Sequence, residues 1–251
     1  MNERGVLMKA IIMAAGRGTR ISTYINNVPK CTLNIEENCS LIENTIKKLN
    51  NKGIKDIAII LGYKSEYIKE ILKKYHVKIY VNPFYALTNS IISLWFAREY
   101  LCDDDVILLN GDVFFEEEIL NQICNTDKAP ILFADNSRIE EADYKFYYEN
   151  NILKKYGKEL TTTECNAEYI GIARINKPFL EKFKKQLYIL VEEEKFYMWW
   201  EDVLYSLVDE CEIYVEDVKG KFWAEIDYFG DYTRILEFIK SSNNCDKQIS
   251  V

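Results

Sequence analysis

Short apolar runs alternate with segments of helical spacing through the first half of the chain. The strand-like runs are Val6 to Met13, Asp56 to Leu61, Val77 to Val81, Val106 to Asn110 and Ile131 to Ala134. The segments with helical spacing are Leu41 to Asn50, Glu66 to Lys74 and Ser90 to Tyr100. Strands that alternate with helices pair into a parallel sheet covered by those helices, and such sheets bind ligands at the carboxyl ends of their strands. The chain is therefore predicted to have an α/β fold.

The second half of the chain has a different pattern. Tyr144 to Tyr148 and Ile152 to Lys155 flank the turn-like Glu149-Asn150-Asn151, which predicts a hairpin. Further strands are predicted over Glu168 to Ile175 and Glu212 to Val218, and helices over Lys177 to Leu187, Tyr197 to Val208 and Gly230 to Ile239. The tail after Ser241 is polar and is expected to fray.

A glycine-rich loop follows the first predicted strand. It reads Ala14, Ala15, Gly16, Arg17, Gly18, Thr19 and Arg20, and Pro29-Lys30 comes further on. Glycines let a backbone approach an anion closely and adopt positive φ, and the amides of such a loop can donate to phosphate oxygens. Arg17, Arg20 and Lys30 add positive charge around the same point. This combination favours a phosphate-binding loop over the alternative, an ordinary turn between a strand and a helix.

Two common phosphate loops are excluded by the spacing. The pattern G-x-x-x-x-G-K-S/T is absent, and G-x-G-x-x-G fails because Ile21 stands three positions after Gly18.

Overall charge and hydropathy limit the partners of the chain. Its formal net charge of -8 argues against a general nucleic-acid binder, which needs a basic surface. No apolar run approaches the roughly 20 residues of a membrane span, and Met1 to Lys9 lacks the long apolar region of a signal peptide. We expect a cytoplasmic protein with no nucleic-acid or membrane partner.

Cysteine and histidine offer little chemistry. The 7 cysteines are scattered and never stand in C-x-x-C spacing, so neither a disulfide framework nor a zinc site is predicted. The single histidine, His76, lies at the end of a predicted helix. A reaction must therefore depend on carboxylates and cations.

Carboxylates follow two strand-like runs. Asp112 comes directly after Asn110 and Gly111, and in the run Phe222 to Asp227 the side chains of Glu225 and Asp227 alternate onto one face. Taken singly, each aspartate is better explained as a solvated group at a turn, but together with a phosphate loop the two favour a metal site. If the two strands are neighbours, Asp112 and Asp227 can share one hard cation, for which Mg²⁺ is the expected ion.

The order of these segments is more specific than any one of them. A-A-G-x-G-T/S-R followed by x-P-K resembles the signature of the nucleotidyltransferase superfamily. Further segments are Leu61-Gly-Tyr-Lys64, Asn82-Pro-Phe-Tyr85, Asn89 to Trp95, Asn110 to Phe115, Tyr169 to Ala173 and Glu225-Ile-Asp227. Together, from about Lys9 to Ile239, they resemble the small-molecule cytidylyltransferases, above all the bacterial choline-phosphate and 2-aminoethylphosphonate cytidylyltransferases.

The resemblance implies a fold and an activity. The fold would be a three-layer α/β/α, Rossmann-like (GT-A-like) domain over residues 1–251, with a mostly parallel mixed sheet. Residues from about 7 to 135 would bind nucleotide, and those from about 136 to 240 would bind the acceptor and close the site. The activity would be Mg²⁺-dependent transfer of CMP from CTP, with Mn²⁺ as a substitute. The acceptor would be phosphocholine first or 2-aminoethylphosphonate second, for decoration of surface glycans or lipids. A homodimer is compatible with it.

The resemblance also implies residue roles. The nucleotide would be held by Ala14, Ala15, Gly16, Arg17, Gly18, Thr19 and Asp112, with Asn89 and Ser90 near its base or ribose. Lys30 and Arg20 would act on its phosphates, and Asp112 and Asp227 would bind the metal. The chain departs from the family pattern between Ile21 and Val28, where Leu-x-Pro-Leu-Thr is usual.

The run Phe196 to Asp202 carries the prediction for the acceptor. Aromatic faces with carboxylates suit an ammonium group, but the same run equally fits the start of a helix with core aromatics. The candidate acceptor residues are Trp199, Trp200, Glu201, Asp202, Tyr169 and Glu225.

Two alternatives remain open. A sugar-1-phosphate or polyol-phosphate nucleotidyltransferase would need polar ligands for hydroxyl groups where this chain has two tryptophans and a glutamate. A non-catalytic nucleotide sensor of the same fold would not need the complete set of Arg20, Lys30 and the two metal-binding aspartates.

Overall fold

The computed structural model describes residues 7–21, 25 and 27–249 of the chain. The strands are β1 (Met8–Ala14), β2 (Asn34–Glu36), β3 (Cys39–Ser40), β4 (Asp56–Leu61), β5 (Lys78–Val81), β6 (Asp105–Asn110), β7 (Val113–Phe115), β8 (Ile131–Asp135), β9 (Lys145–Glu149), β10 (Ile152–Gly157), β11 (Ala167–Ile175), β12 (Tyr214–Asp217) and β13 (Trp223–Glu225). The helices are α1 (Leu41–Asn51), α2 (Ser65–Leu72), α3 (Ser90–Phe96), α4 (Glu117–Asn125), α5 (Lys177–Glu192), α6 (Asp202–Tyr205) and α7 (Phe229–Ile249).

A 9-stranded sheet runs through both halves of the chain in the order β5-β4-β1-β6-β11-β8-β12-β10-β9. Strands β5, β4, β1 and β6 are parallel, with Ile11 opposite Ala58 and Leu108. Strand β11 is antiparallel to both of its neighbours, β6 and β8. The predicted mixed α/β fold is confirmed, with a larger antiparallel share than predicted.

Helices cover both faces of this sheet. Ile11 and Met13 of β1 pack on one face with residues of α3 and α5. Ala10 and Ile12 pack on the other face with residues of α1, α2 and α4. Every residue of β1 is buried, as expected for a strand with helices on both sides. No helix among the described residues has the length and apolarity needed to cross a membrane.

The helix predicted over Tyr197 to Val208 is wrong for most of its length, because α6 covers only Asp202–Tyr205. The backbone N–H groups of Asn89 and Ile91, at the start of α3, donate to the carbonyls of Phe196 and Met198 at 2.7 and 3.3 Å. These carbonyls are held by α3 and are not free for a continuous helix of their own segment.

The C-terminal helix is longer than predicted. Helix α7 continues to Ile249, well past the end predicted at Ile239. The predicted start of the first strand, Val6, lies outside the described residues, as does part of the unusual segment between Ile21 and Val28.

Strand order places a crevice at the carboxyl end of β1. The chain runs from β1 to β4 on one side of it and later returns to β6 on the other, which makes this edge a topological switch point. The small sheet of β7 and β13 lies next to it, because β7 begins just after the loop that ends β6.

Candidate active site

The glycine-rich loop after β1 forms one wall of a cleft, which we call the loop cavity. Its lining includes Ala14, Ala15, Gly16, Gly18, Lys30 and Asp112. Gly18 has φ of 61°, and a Cβ atom there would lie 2.8 Å from Cε of Lys30. Both the backbone conformation and the packing of Lys30 therefore require glycine at this position.

Lys30 connects this loop to two carboxylates. Its Nζ lies 2.6 Å from Oδ1 of Asp227 and 3.2 Å from Oδ2 of Asp112, and 12% of its side chain is exposed. Burial alone would lower the pKa of Lys30, but the attraction of Asp112 and Asp227 outweighs it and raises the pKa. The ammonium group is therefore fully charged at neutral pH.

The arginines of the loop have different positions. The guanidinium of Arg20 donates to Oδ2 of Asp227 at 2.6 Å and lies over the ring of Tyr228. Attraction by Asp227 raises the pKa of Arg20. Arg17 lies over the ring of Tyr63, and neither Arg17 nor Thr19 is among the described residues that line the cavities. Of the predicted phosphate ligands, the structure thus groups Arg20 and Lys30.

Three carboxylates meet beside Lys30. Asp112, Glu225 and Asp227 each offer an oxygen within 4.8 Å of the others. Strand β13 brings them together, because Glu225 is opposite Val113 of β7 and the N–H of Ile226 donates to the carbonyl of Asp112 at 3.0 Å. Asp112 and Asp227 lie close together, as expected if their strands are neighbours. Glu225 lies with them, although the resemblance implied that it would bind the acceptor.

The electrostatics of this group suit a divalent cation. Burial, followed by repulsion from Asp112 and Asp227, raises the pKa of Glu225 well above its usual range. Burial acts on Asp227 in the same direction, but Lys30 and Arg20 outweigh it and lower the pKa of that carboxyl. Hard carboxylate oxygens in this arrangement fit Mg²⁺ or Mn²⁺, and a cation there would relieve the repulsion.

Asn89 and Ser90 lie at the start of α3, and both line the loop cavity. Their side chains also hold the segment that carries the tryptophans. Nδ2 of Asn89 donates to the carbonyl of Tyr197 at 3.0 Å, and the hydroxyl of Ser90 accepts from the N–H of Trp200 at 2.9 Å. These two residues therefore fix the wall opposite the glycine-rich loop.

A second cleft, which we call the aromatic cavity, adjoins the first. Its walls include the rings of Tyr144, Tyr169, Trp199 and Tyr205. Asn110, Trp199, Glu201 and Glu225 line both cavities, so the two clefts meet at these residues.

Several polar groups of the aromatic cavity were missed by sequence reasoning. Asp143, Lys158 and Glu168 line it, and Lys158 and Asp143 form an ion pair at 2.6 Å. Burial raises the pKa of Glu168 to about 7. Within the described part of the chain, the hydroxyl groups of Tyr169 and Tyr205 are buried and have no hydrogen-bond partner. Glu168 precedes a segment of the family pattern, but a chain with 18 tyrosines gives no signal for Tyr205 or Tyr144.

The four acidic and aromatic candidates at residues 199–202 divide into two pairs. Trp199 and Glu201 line the cavities as predicted. Trp200 is completely buried, and its indole donates to Asn110. Oδ2 of Asp202 accepts from the N–H of Trp199 at 2.8 Å, which caps the turn. Placing Trp200 and Asp202 against the acceptor is therefore wrong, because core packing and capping already engage them.

Glu201 is the carboxylate at the junction of the two cavities. It is 6% exposed, and burial raises its pKa to about 8. Nδ2 of Asn110 donates to its Oε1 at 3.2 Å. A positive charge that entered the aromatic cavity would favour its ionised form.

The amino-acid sequence is similar to those of known nucleotidyltransferases. The model of the family described as Nucleotidyl transferase matches residues 9–132. The choline-phosphate cytidylyltransferase of Streptococcus pneumoniae is 29% identical over 241 residues, which cover 94% of this chain and 100% of the relative. The CTP:phosphoglutamine cytidylyltransferase of Campylobacter jejuni is 25% identical over 248 residues, covering 89% of this chain and 97% of the relative.

A solved structure shows the same likeness. The CTP:phosphocholine cytidylyltransferase from Streptococcus pneumoniae superposes with a TM-score of 0.77 and 27% identity, covering 93% of this chain and 100% of that chain. Residues 9–132 thus match the nucleotidyl transferase family, and the chain is a nucleotidyltransferase, an enzyme whose substrates are a nucleoside triphosphate and a phosphorylated acceptor.

Proposed function

We propose that this enzyme transfers CMP from CTP to a small amine-bearing phosphate or phosphonate and releases pyrophosphate. Phosphocholine is the first candidate acceptor. One observation carries the proposal: a cavity lined by a glycine-rich loop and Lys30 meets a cavity with aromatic walls and acidic groups, where Arg20 and Lys158 also lie. The first suits a triphosphate and the second suits an ammonium group.

The reaction needs little from the protein beyond positioning and charge. A phosphate or phosphonate oxygen of the acceptor attacks the α-phosphorus of CTP and forms the new P–O bond. The bond from that phosphorus to the bridging oxygen breaks, and pyrophosphate leaves with the electron pair. The attacking oxygen is already anionic at neutral pH, so no general base is required. Lys30 would hold the α-phosphate and Arg20 the β- and γ-phosphates, both as electrostatic stabilisers.

Mg²⁺ fits the carboxylates that the structure brings together. Asp112 and Asp227, with Glu225 beside them, would hold the ion, and Mn²⁺ would substitute for it. When bound, the ion would supply neutralisation of the negative charge on the triphosphate. Lys30 contacts two of these carboxylates, and its ammonium group has a third N–H that could donate to a phosphate oxygen.

A specific observation favours 2-aminoethylphosphonate as the second candidate acceptor. A quaternary ammonium group has no N–H donor, whereas a primary ammonium group has three. Among the residues that the structure describes, the buried hydroxyl groups of Tyr169 and Tyr205 have no hydrogen-bond partner, and the carboxyl of Glu168 lies in the same cavity. A primary ammonium group could satisfy such groups, while the aromatic rings alone would suffice for choline.

A panel of substrates tests the proposal. Pyrophosphate release is measured with CTP, UTP, GTP or ATP and with phosphocholine, phosphoethanolamine, 2-aminoethylphosphonate, glucose 1-phosphate or glycerol 3-phosphate, and the product is identified by mass spectrometry. We expect turnover only with CTP, Mg²⁺ and an amine-bearing acceptor. Turnover confined to a sugar or polyol phosphate would replace the proposal with the first alternative. Binding of nucleotide without release of pyrophosphate in any mixture would favour a sensor.

The cytoplasmic location remains a prediction from the hydropathy of the sequence, and the role in decorating surface glycans or lipids remains a prediction from the resemblance, with which a homodimer is compatible.

A further inference from the structure

A buried chain of hydrogen bonds leads from the protein core to the junction of the two cavities. Nε1 of Trp200 donates to Oδ1 of Asn110 at 2.8 Å, and Nδ2 of Asn110 donates to Oε1 of Glu201 at 3.2 Å. Trp200 is completely buried, whereas Asn110 and Glu201 line both cavities. We call this chain the Trp200–Asn110–Glu201 relay.

The indole group sets the orientation of the amide. An indole N–H is only a donor, so the atom of Asn110 that faces it must be the carbonyl oxygen. The amide nitrogen of Asn110 is thereby directed away from Trp200, and its N–H groups face Glu201. Rotation of the amide by 180° would bring two donors together at the indole and two acceptors together at the carboxylate.

Neighbouring residues hold Trp200 and Asn110, the first two members of the relay, in place. The N–H of Trp200 donates to the hydroxyl of Ser90 at 2.9 Å. A Cβ atom at Gly171, whose φ is 78°, would lie 3.0 Å from Nδ2 of Asn110. Strand β11 therefore runs close against the amide, and only glycine leaves it this space.

The relay has an electrostatic consequence for Glu201. Its carboxyl group is almost fully buried, and burial of a carboxylate is costly unless donors compensate it. The side chain of Asn110 supplies such a donor to one oxygen, and a hydrogen bond to a charged acceptor is stronger than one between neutral groups. The hydrogen bond from Asn110 thus fixes the rotamer of Glu201 and opposes the effect of burial, which raises the pKa of this carboxyl.

We propose that Asn110, oriented by Trp200, is a positioning residue that holds Glu201 to recognise the cationic group of the acceptor. This inference rests on the proposed function and deepens it. It assigns Trp200, which touches neither cavity, an indirect effect on the choice of acceptor. It also predicts that discrimination between a charged acceptor and an uncharged acceptor of the same shape depends on one indole N–H.

The test measures that discrimination directly. Phosphocholine and 3,3-dimethylbutyl phosphate have the same shape, but a carbon replaces the cationic nitrogen in the second. If 2-aminoethylphosphonate is the acceptor in the panel above, n-propylphosphonate serves as its uncharged counterpart. The ratio of kcat/KM for the charged and uncharged acceptors is compared among wild type, Asn110→Ala and Trp200→Phe, together with KM for CTP and the Mg²⁺ concentration for half-maximal rate.

Trp223→Phe is the matched control. Its indole is also buried and donates to Oδ2 of Asp135 at 2.9 Å, so the substitution removes an equivalent hydrogen bond elsewhere in the fold. In Asn110→Ala and Trp200→Phe we expect the ratio to fall about tenfold, the size of one hydrogen bond to a charged group. The loss should appear in KM for the charged acceptor, while KM for CTP and the Mg²⁺ requirement change less than about twofold.

Three results would overturn the inference. One is an unchanged ratio in both variants. Another is equal loss with both acceptors, which would show that Asn110 and Trp200 only support the fold. The third is a fall of the ratio in Trp223→Phe as large as in Trp200→Phe. If Asn110→Ala does not fold, Trp200→Phe alone decides. Absence of turnover by the wild-type enzyme with every amine-bearing acceptor would instead refute the proposed function, and the inference with it.

Discussion

Replacement of Lys30 by methionine separates the charge of its ammonium group from the space that its side chain fills. The ammonium nitrogen lies 2.6 Å from Asp227 and 3.2 Å from Asp112, and Glu225 completes the cluster. Methionine is of similar length and leaves the glycine-rich loop packed. In Lys30→Met the three carboxylates would face each other, and Arg20 would be the one cation in contact with them among the described residues.

The structure sets the size of the effect. Removal of one member of a buried ion pair costs about 3–5 kcal/mol. The side chains of Asp112 and Asp227 are 25% and 22% exposed and Arg20 remains, so we expect the lower end, about 3 kcal/mol. For a chain of this size that lowers Tm by about 6–12 °C. Loss of a phosphate-stabilising cation should also reduce kcat about 10²–10³-fold.

Thermal unfolding with Mg²⁺ and without nucleotide is the decisive assay. In the wild type the ammonium group of Lys30 would compete with a bound metal ion for Asp112 and Asp227. In Lys30→Met that competitor is gone, and Mg²⁺ at 100 times its Kd should restore about 2.7 kcal/mol of stability. We therefore expect a Mg²⁺-induced rise in Tm that is several degrees larger in the variant than in the wild type.

Lys48→Met is the matched control. The ammonium of Lys48 is partly buried, donates to the carbonyl of Phe115 and lies over the ring of Phe114. Burial lowers the pKa of Lys48 to about 8. This variant should lose stability without a larger response to Mg²⁺. An equal Mg²⁺ response in wild type and Lys30→Met would refute the shared site, and retention of more than about a tenth of kcat would refute the role on the phosphate.

Three further outcomes are expected. Gly18→Ala strains a residue with φ of 61° and pushes on Lys30, so Tm should fall by a few degrees and KM for CTP should rise. Gly220→Ala is the control, because Gly220 also has positive φ but lies in open space; this variant should change Tm alone. Trp199→Ala should raise KM for the acceptor about tenfold, because its ring lines the aromatic cavity; an unchanged acceptor KM would remove Trp199 from that role. Burial alone would raise the pKa of Glu43, but hydrogen bonds from Lys74 and Ser40 outweigh it and lower the pKa to about 2. The stabilising contribution of Glu43 is thus present above about pH 4.5 and is lost as pH falls towards 2. The urea midpoints of wild type and Glu43→Gln should therefore differ at pH 7 and converge at low pH. A difference that stays constant with pH would contradict this linkage.

The features that were predictable from the amino-acid sequence are those that depend on neighbours along the chain. Apolar runs indicated the strands of the parallel part, because a strand buried on both faces cannot carry polar residues in its middle. The glycine-rich loop was recognisable for the same reason, since positive φ and close packing at Gly18 restrict the residue locally.

The residues at 196–202 show where such reasoning stops. Helical spacing predicted a helix here, but the start of α3 holds the carbonyls of Phe196 and Met198. The neighbouring Trp199 and Trp200 are indistinguishable by residue type, yet one lines both cavities and the other is buried in the core.

The composition of the site depends on contacts between distant segments. Pairing of β7 with β13 adds Glu225 to the carboxylates of Asp112 and Asp227. The hairpin of β9 and β10, together with β11, brings Tyr144 and Tyr169 next to Tyr205 in one cavity. A residue's type and its near neighbours thus predicted the phosphate loop and the chemistry available to it. Which acids, aromatic rings and amides complete the site follows only from packing, because the direction of a side chain is set by the elements that close around it.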